Sequence, residues 1–183
     1  MNKNISVVFS TNQDGRADIF PPSQMFANKN FKFLIAMGGW LVDNDQQYDK
    51  LMVALKNIGE TSIHILEHKQ TEDKEFPFDW ELPTDSNHSL LLQMADNLEP
   101  KGRWGMVNIF VYGDNPNWGI YICEYPTILI IGCIEEYVPV FRQVYELEGN
   151  GFAQQDDFIS LEYEGWPHLR NELIKNYHLL DNV

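Results

Sequence analysis

WGMVNIFVYGDNPNWGIYICEYPTILIIGCI, residues 104–134, is the most apolar and most β-like stretch of the chain. Its punctuation reads as a three-stranded antiparallel meander. β-Branched and aromatic residues fill 106–112, the turn formers Gly113-Asp114-Asn115-Pro116-Asn117 follow, 118–124 gives a second strand, and 127–132 gives a third across the short Tyr125-Pro126 connection. Connections this short join antiparallel neighbours. The fold class expected is α+β: a mixed, largely antiparallel sheet centred on a meander at about 105–133, with several helices packed on it in a single domain, 1–183. Ile109, Val111, Ile120, Ile122, Leu129 and Ile131 should then be mostly buried.

At 183 residues the chain can bury roughly 70% of the surface its unfolded form exposes, and it needs no staples. Its 44% hydrophobic, 13% aromatic and 22% charged residues fit an ordinary globular composition. The apolar run 5–9 is too short for a signal-peptide core, and no run approaches the roughly 18 apolar residues of a membrane span. A cytoplasmic protein with no membrane partner is expected. The meander's register sets Cys123 beside about residue 128 and Cys133 beside about residue 118, so the two thiols are predicted to be free and buried rather than bridged.

Outward from the meander, 5–9 reads as a strand closed by the polar segment 10–15, and Ser23 could cap a helical turn through Phe26. Residues 31–36 form a strand stopped by Gly38-Gly39, and Trp40, Leu41 and Val42 follow as an apolar plug. Asn44 or Asp45 caps a helix whose Tyr48, Leu51, Met52, Leu55 and Ile58 share a face, and Gly59 ends it. With a strand at 61–66, residues 31–66 make a strand, helix, strand unit that suits a parallel crossover. Residues 67–85 read as a long loop whose knot, Phe76-Pro77-Phe78-Asp79-Trp80, either docks on the core or rims a groove. A helix from Ser86 or Asn87 to Leu98 is closed by Pro100-Lys101-Gly102. After the meander, Glu135-Glu136 opens a helix to about Leu147, Gly149-Asn150-Gly151 is a flexible break, and 158–163 alternates as a late strand. Pro167 starts a final helix with Leu169, Leu173, Ile174, Tyr177 and Leu180 on one stripe.

The chain carries 27 acids against 13 bases, a net charge of −14. Between residues 104 and 166 there are ten acids and one base, Arg142. Such a field opposes direct contact with nucleic acid or an anionic membrane and attracts a basic protein. The same acids read equally well as a solvated, solubilising face.

Catalytic and metal motifs are missing from the sequence. His64 and His68 in HILEH have ligand spacing only on a helix, whereas 61–66 looks like strand, so a solvent-facing pair at a strand end is expected. Asp43-Asn44-Asp45 opens like a calcium loop, but Tyr48 and Ala54 stand where Gly and Glu belong. GxxxxGK[ST], GxGxxG and GxSxG do not occur, and a thiolate at Cys123 is disfavoured in an apolar strand. No cofactor and no metal are expected. Tyr112, Trp118, Tyr121 and Trp166 are either core or contact aromatics.

Small size, strong acidity, α+β organisation and the absence of a catalytic motif resemble, in general character, the immunity proteins of bacterial polymorphic and contact-dependent growth inhibition toxin systems. The resemblance implies a non-enzymatic inhibitor that neutralises a cognate basic toxin domain, a nuclease among the candidates, by binding protein and not nucleic acid. From the residues themselves, the contact surface is expected in the acidic second half. Asp114, Glu146, Glu148, Asp156, Asp157, Glu162 and Glu164 are its charges, Trp118 and Trp166 its anchors, and an open edge of the meander a further place for strand pairing. The alternatives are a small hydrolase or transferase using His64, His68 and nearby acids, or a scaffold domain.

Overall fold

Six strands, all paired antiparallel, form one open sheet in the computed structural model, which describes residues 5–39, 41–74, 77–97 and 108–180. In chain order these residues give α1 (Ile5–Val8), β1 (Lys32–Met37), α2 (Asp45–Asn57), β2 (Ser62–Glu67), β3 (Asp79–Pro83), α3 (His88–Asp96), β4 (Ile109–Gly113), β5 (Trp118–Ile122), β6 (Ile128–Cys133), α4 (Val138–Tyr145), α5 (Phe152–Glu162) and α6 (Pro167–Asn176). The fold is a single α+β domain. The spatial order β1-β6-β5-β4-β2-β3 leaves β1 and β3 at opposite edges, so the sheet does not close into a barrel.

The meander β4-β5-β6 occupies the centre in the register its turns imply. Trp118 lies opposite Cys133, and the Cys123 N–H donates to Ile128 O at 2.9 Å. Both thiols are buried and free. The unit β1-α2-β2 does not pair in parallel: its strands run in one direction, but β6, β5 and β4 lie between them. Those flanking strands also take both edges of the meander, so neither is open to a partner.

Every residue of β4, β5 and β6 is buried, because both sheet faces are covered. One face is aliphatic: Ile109, Val111, Ile120, Ile122, Leu129 and Ile131 pack with α2, α3 and α4. The other is aromatic: Phe33, Phe110, Tyr112 and Tyr121 meet Phe9, Met25 and Phe26 of the N-terminal segment and residues of α5 and α6. Gly119 and Gly132 are cross-strand partners on this second face. A Cβ on Gly119 would stand 2.4 Å from Val8 Cγ1, and one on Gly132 would stand 2.7 Å from the Phe26 ring. The pair forms a hollow that seats the N-terminal segment.

Four local readings are corrected. Ile5–Val8 is helix rather than strand, burying Ile5 and Val8 three residues apart. Ser23 caps no helix: it lies in a turn with its N–H on Phe20 O, and Phe26 pairs antiparallel with Phe9, so that the Ser10 and Ala27 N–H groups bond the Met25 and Val8 carbonyls. The supposed loop 67–85 contains β3, whose Trp80 and Leu82 face inward while Asp79, Glu81 and Pro83 face out. The supposed strand 158–163 is the end of α5 with its C-cap Tyr163, and Ile159 and Tyr163, four apart, are buried. Gly149-Asn150-Gly151 breaks the chain but is pinned: Asn150 O accepts the Ile35 N–H on the β1 edge, and its side chain bonds Leu179 O and Phe152 N. The readings at Trp40, Phe76, Leu98, Pro100-Lys101-Gly102 and 104–107 lie outside the described residues.

Helix ends follow their caps. The Asn44 side chain accepts from Gln47 N at the start of α2, and Asn87 accepts from Leu90 N at the start of α3. No helix among the described residues is long and apolar enough to cross a membrane.

Candidate protein-binding surface

Successive turns of a meander lie at opposite ends of the sheet, which puts Asp114 at one end and Tyr125-Pro126 at the other. At the Tyr125 end α5 delivers its last turn. The Tyr125 hydroxyl donates to Glu162 O at 2.6 Å, and its ring meets Tyr163 edge-on at 5.1 Å. Because Ile159 and Tyr163 take the inward positions of α5, Leu161 is turned outward and is 67% exposed. The Trp166 N–H bonds Tyr163 O at 2.7 Å, which fixes the link into α6 and leaves Trp166 57% exposed. Tyr125 is itself exposed, and Glu124, Glu162 and Glu164 neighbour these exposed residues along the chain. These three acids pair with no cation among the described residues. Beside Glu124 a shallow polar cleft of about 290 Å³ continues the surface, lined by Phe20, Glu67, His68, Lys69 and Asn108 among others.

This arrangement unites three of the residues expected from the sequence, Glu162, Glu164 and Trp166, and scatters the rest. Trp118 is a correction: it is fully buried, with its indole N–H on Glu60 Oε2 at 2.7 Å, so it is a core residue and offers no contact. Asp156 is half-buried, held by Arg170 through Nε and Nη2 at 2.6 and 2.5 Å, and the guanidinium also lies over the Phe152 ring. Its charge is largely cancelled within the chain. Glu146 meets Lys50 of α2 at 2.9 Å on the open surface, and this contact draws the Glu146 carboxyl below its usual range. Glu148 stands at the same α4-α5 turn, where its N–H bonds Gln154 Oε1. Asp157 is exposed on α5, and Asp114, 3.4 Å from the Ser62 hydroxyl, is at the far end of the sheet.

The arrangement also includes residues the sequence did not single out: Tyr125, Leu161 and Glu124. Read as strand, Leu161 shares a face with Ile159 and Tyr163. Helical spacing separates it from them, and that was the available signal.

Both histidines of HILEH are buried, which corrects the solvent-facing reading. His68 Nε2 donates to Ala17 O at 2.9 Å, so Nδ1 accepts from the Tyr121 hydroxyl at 2.6 Å. Its ring stacks on Phe20 at 4.3 Å, and burial lowers its pKa. With both nitrogens engaged, His68 can take a proton only by disturbing those bonds. His64 stacks on Tyr112 at 5.1 Å with Nδ1 3.4 Å from Asp79, a hydrogen bond that raises its pKa. Burial pushes the Cys133 thiol up to about 12 and the Cys123 thiol far above its ordinary value. Neither serves as a ready nucleophile. No group of three His, Cys, Asp or Glu converges as a metal site among the described residues.

No protein-family model matches the chain, and neither a curated protein nor a solved structure is significantly similar to it.

Proposed function

We propose that this protein is a specific protein-binding inhibitor: an immunity protein that neutralises a basic toxin domain, with a nuclease as the class whose cationic cleft best complements it. The observation that carries this reading is the exposure of Tyr125, Leu161 and Trp166 around the end of α5, with Glu124, Glu162 and Glu164 beside them in the chain, on a chain of net charge −14. A partner's basic rim is steered by the charge, while the large apolar side chains supply contact area once water is excluded. The engaged nitrogens of His68 and the raised thiol pKa values favour binding over catalysis. A cytoplasmic site of action goes with this reading.

The test is co-expression with a basic toxic protein encoded beside it. The wild-type chain is expected to restore growth and to co-purify with that protein. The Leu161→Ala/Trp166→Ala double variant is expected to lose both effects while keeping its melting temperature. Full protection by the double variant would place the interface elsewhere, and the absence of any complex with the wild-type chain would remove the inhibitor reading.

A further inference from the structure

The end of the sheet opposite Tyr125 carries a cleft of about 500 Å³ with the reverse electrostatic character. Among the described residues its lining includes Lys29, Lys32 and His178 and no carboxylate, although acids outnumber bases 27 to 13 in the chain. The floor is rigid. Phe33 meets Tyr177 edge-on at 5.2 Å, both rings are buried, and the Tyr177 hydroxyl is fixed by donating to Ser23 O and accepting from Met25 N.

The cations are presented rather than scattered. Asn28 closes a turn by accepting Asn30 N–H on its side chain and Phe31 N–H on its carbonyl, which sets Lys29 at the tip and Lys32 at the first position of β1. The Lys29 ammonium has no ion pair or hydrogen bond among the described residues. Lys32 is 3.5 Å from Glu135, with both side chains largely in water, a pair that exchanges readily for a better anion. The last carbonyls of α6 do not compete, because the N–H groups of Tyr177, His178 and Leu179 occupy them.

We infer that this cleft binds a phosphate dianion, through the ammonium groups of Lys29 and Lys32 with His178 alongside. Two ammoniums balance a doubly charged oxyanion. A site of this volume lies within the roughly 300–1,000 Å³ range of small-molecule pockets, which leaves room for a group carrying the phosphate. The chain's net negative charge does not forbid this, since charges beyond roughly 8 Å are screened at physiological salt. The site stands apart from the proposed partner surface and does not depend on it.

Amide NMR titration of the full chain with inorganic phosphate and with adenosine monophosphate, against sodium chloride at matched ionic strength, tests the inference. Saturable shifts confined to the neighbourhood of Lys29, Lys32 and His178 are expected. They should weaken by about tenfold in each of Lys29→Gln and Lys32→Gln, at unchanged melting temperature, and persist in Trp166→Ala. Tighter binding of the nucleotide would identify a phosphate carried on a small molecule, and equal binding a free phosphate ion. Shifts that chloride reproduces, or that survive both lysine substitutions, would overturn the site.

Discussion

Replacing Glu60 by Ala tests the assignment of Trp118 to the core. Glu60 follows α2 and is 7% exposed; its Oε2 accepts the Trp118 indole N–H at 2.7 Å and faces the Asn115 N–H at 3.4 Å. Gly113 makes room for it, since a Cβ there would stand 2.3 Å from Glu60 Oε2. Removing the carboxyl leaves a donor at 0% exposure without an acceptor. That costs about 1–3 kcal/mol, and in a chain of this size a melting point falls by about 2–4 °C per kcal/mol, so a drop of about 2–12 °C is expected. Thermal unfolding of Glu60→Ala, Trp118→Phe and the double variant measures it. If the hydrogen bond is the cause, the double variant loses less than the sum of the two single ones. A Glu60→Ala chain melting with the wild type, or strictly additive losses, would refute the reasoning and reopen Trp118 as a surface residue.

Ile131→Ala, at the centre of the aliphatic face, should cost about 2–5 kcal/mol in denaturant unfolding. Asp156→Asn, which breaks a partly exposed fork with Arg170, should cost no more than about 1 kcal/mol and leave association with the basic partner unchanged, as stopped-flow mixing would show. The two histidines titrate in opposite senses. His64, raised above 6.5 chiefly by its bond to Asp79, stabilises fully below 6.5 and loses that contribution as pH rises through its folded value. His68, lowered chiefly by burial, costs nothing above 6.5 and removes stability as pH falls below it. Melting temperature against pH should therefore flatten on the alkaline side in His64→Gln and on the acid side in His68→Gln; unaltered profiles would contradict the assignment. Cys123 and Cys133 should resist a thiol reagent at neutral pH and react only after denaturation.

The meander was legible because its turns carry dense local chemistry: Gly113 to Asn117 and Tyr125-Pro126 fix both strand ends and register, which is why the Cys123 and Cys133 neighbours came out as expected. The pattern in β3 was also present, with Trp80 and Leu82 alternating against Asp79 and Glu81. Pro77 beside the aromatics made it read as a docked loop, yet Pro83 ends the strand facing out at the edge of the sheet, where a proline is tolerated. Residues 158–163 alternate over too short a window to separate a period of 2 from 3.6. Only the extension back to Phe152 decides for helix, and that choice exposes Leu161.

The remaining misses concern long-range pairing, which local pattern does not encode. Arg170 neutralises Asp156 from the next helix, Glu60 takes the Trp118 indole across 58 residues, and Tyr121 and Ala17 fix His68 in the interior. A charge count over 104–166 therefore overstated the usable acids and missed that Asp114 lies at the other end of the sheet from Glu162. Of the expected anchors, Trp166 reaches the surface in the link between α5 and α6, where its N–H is held by Tyr163 O.

Binding kinetics with the basic partner at low and at physiological ionic strength, for the wild type, Glu162→Lys/Glu164→Lys and Trp166→Ala, tests the central claim most directly. The account predicts that salt and the charge reversal each slow association by about tenfold or more, whereas Trp166→Ala leaves association intact and speeds dissociation. Rates insensitive to salt, to the reversal and to Trp166→Ala would contradict it.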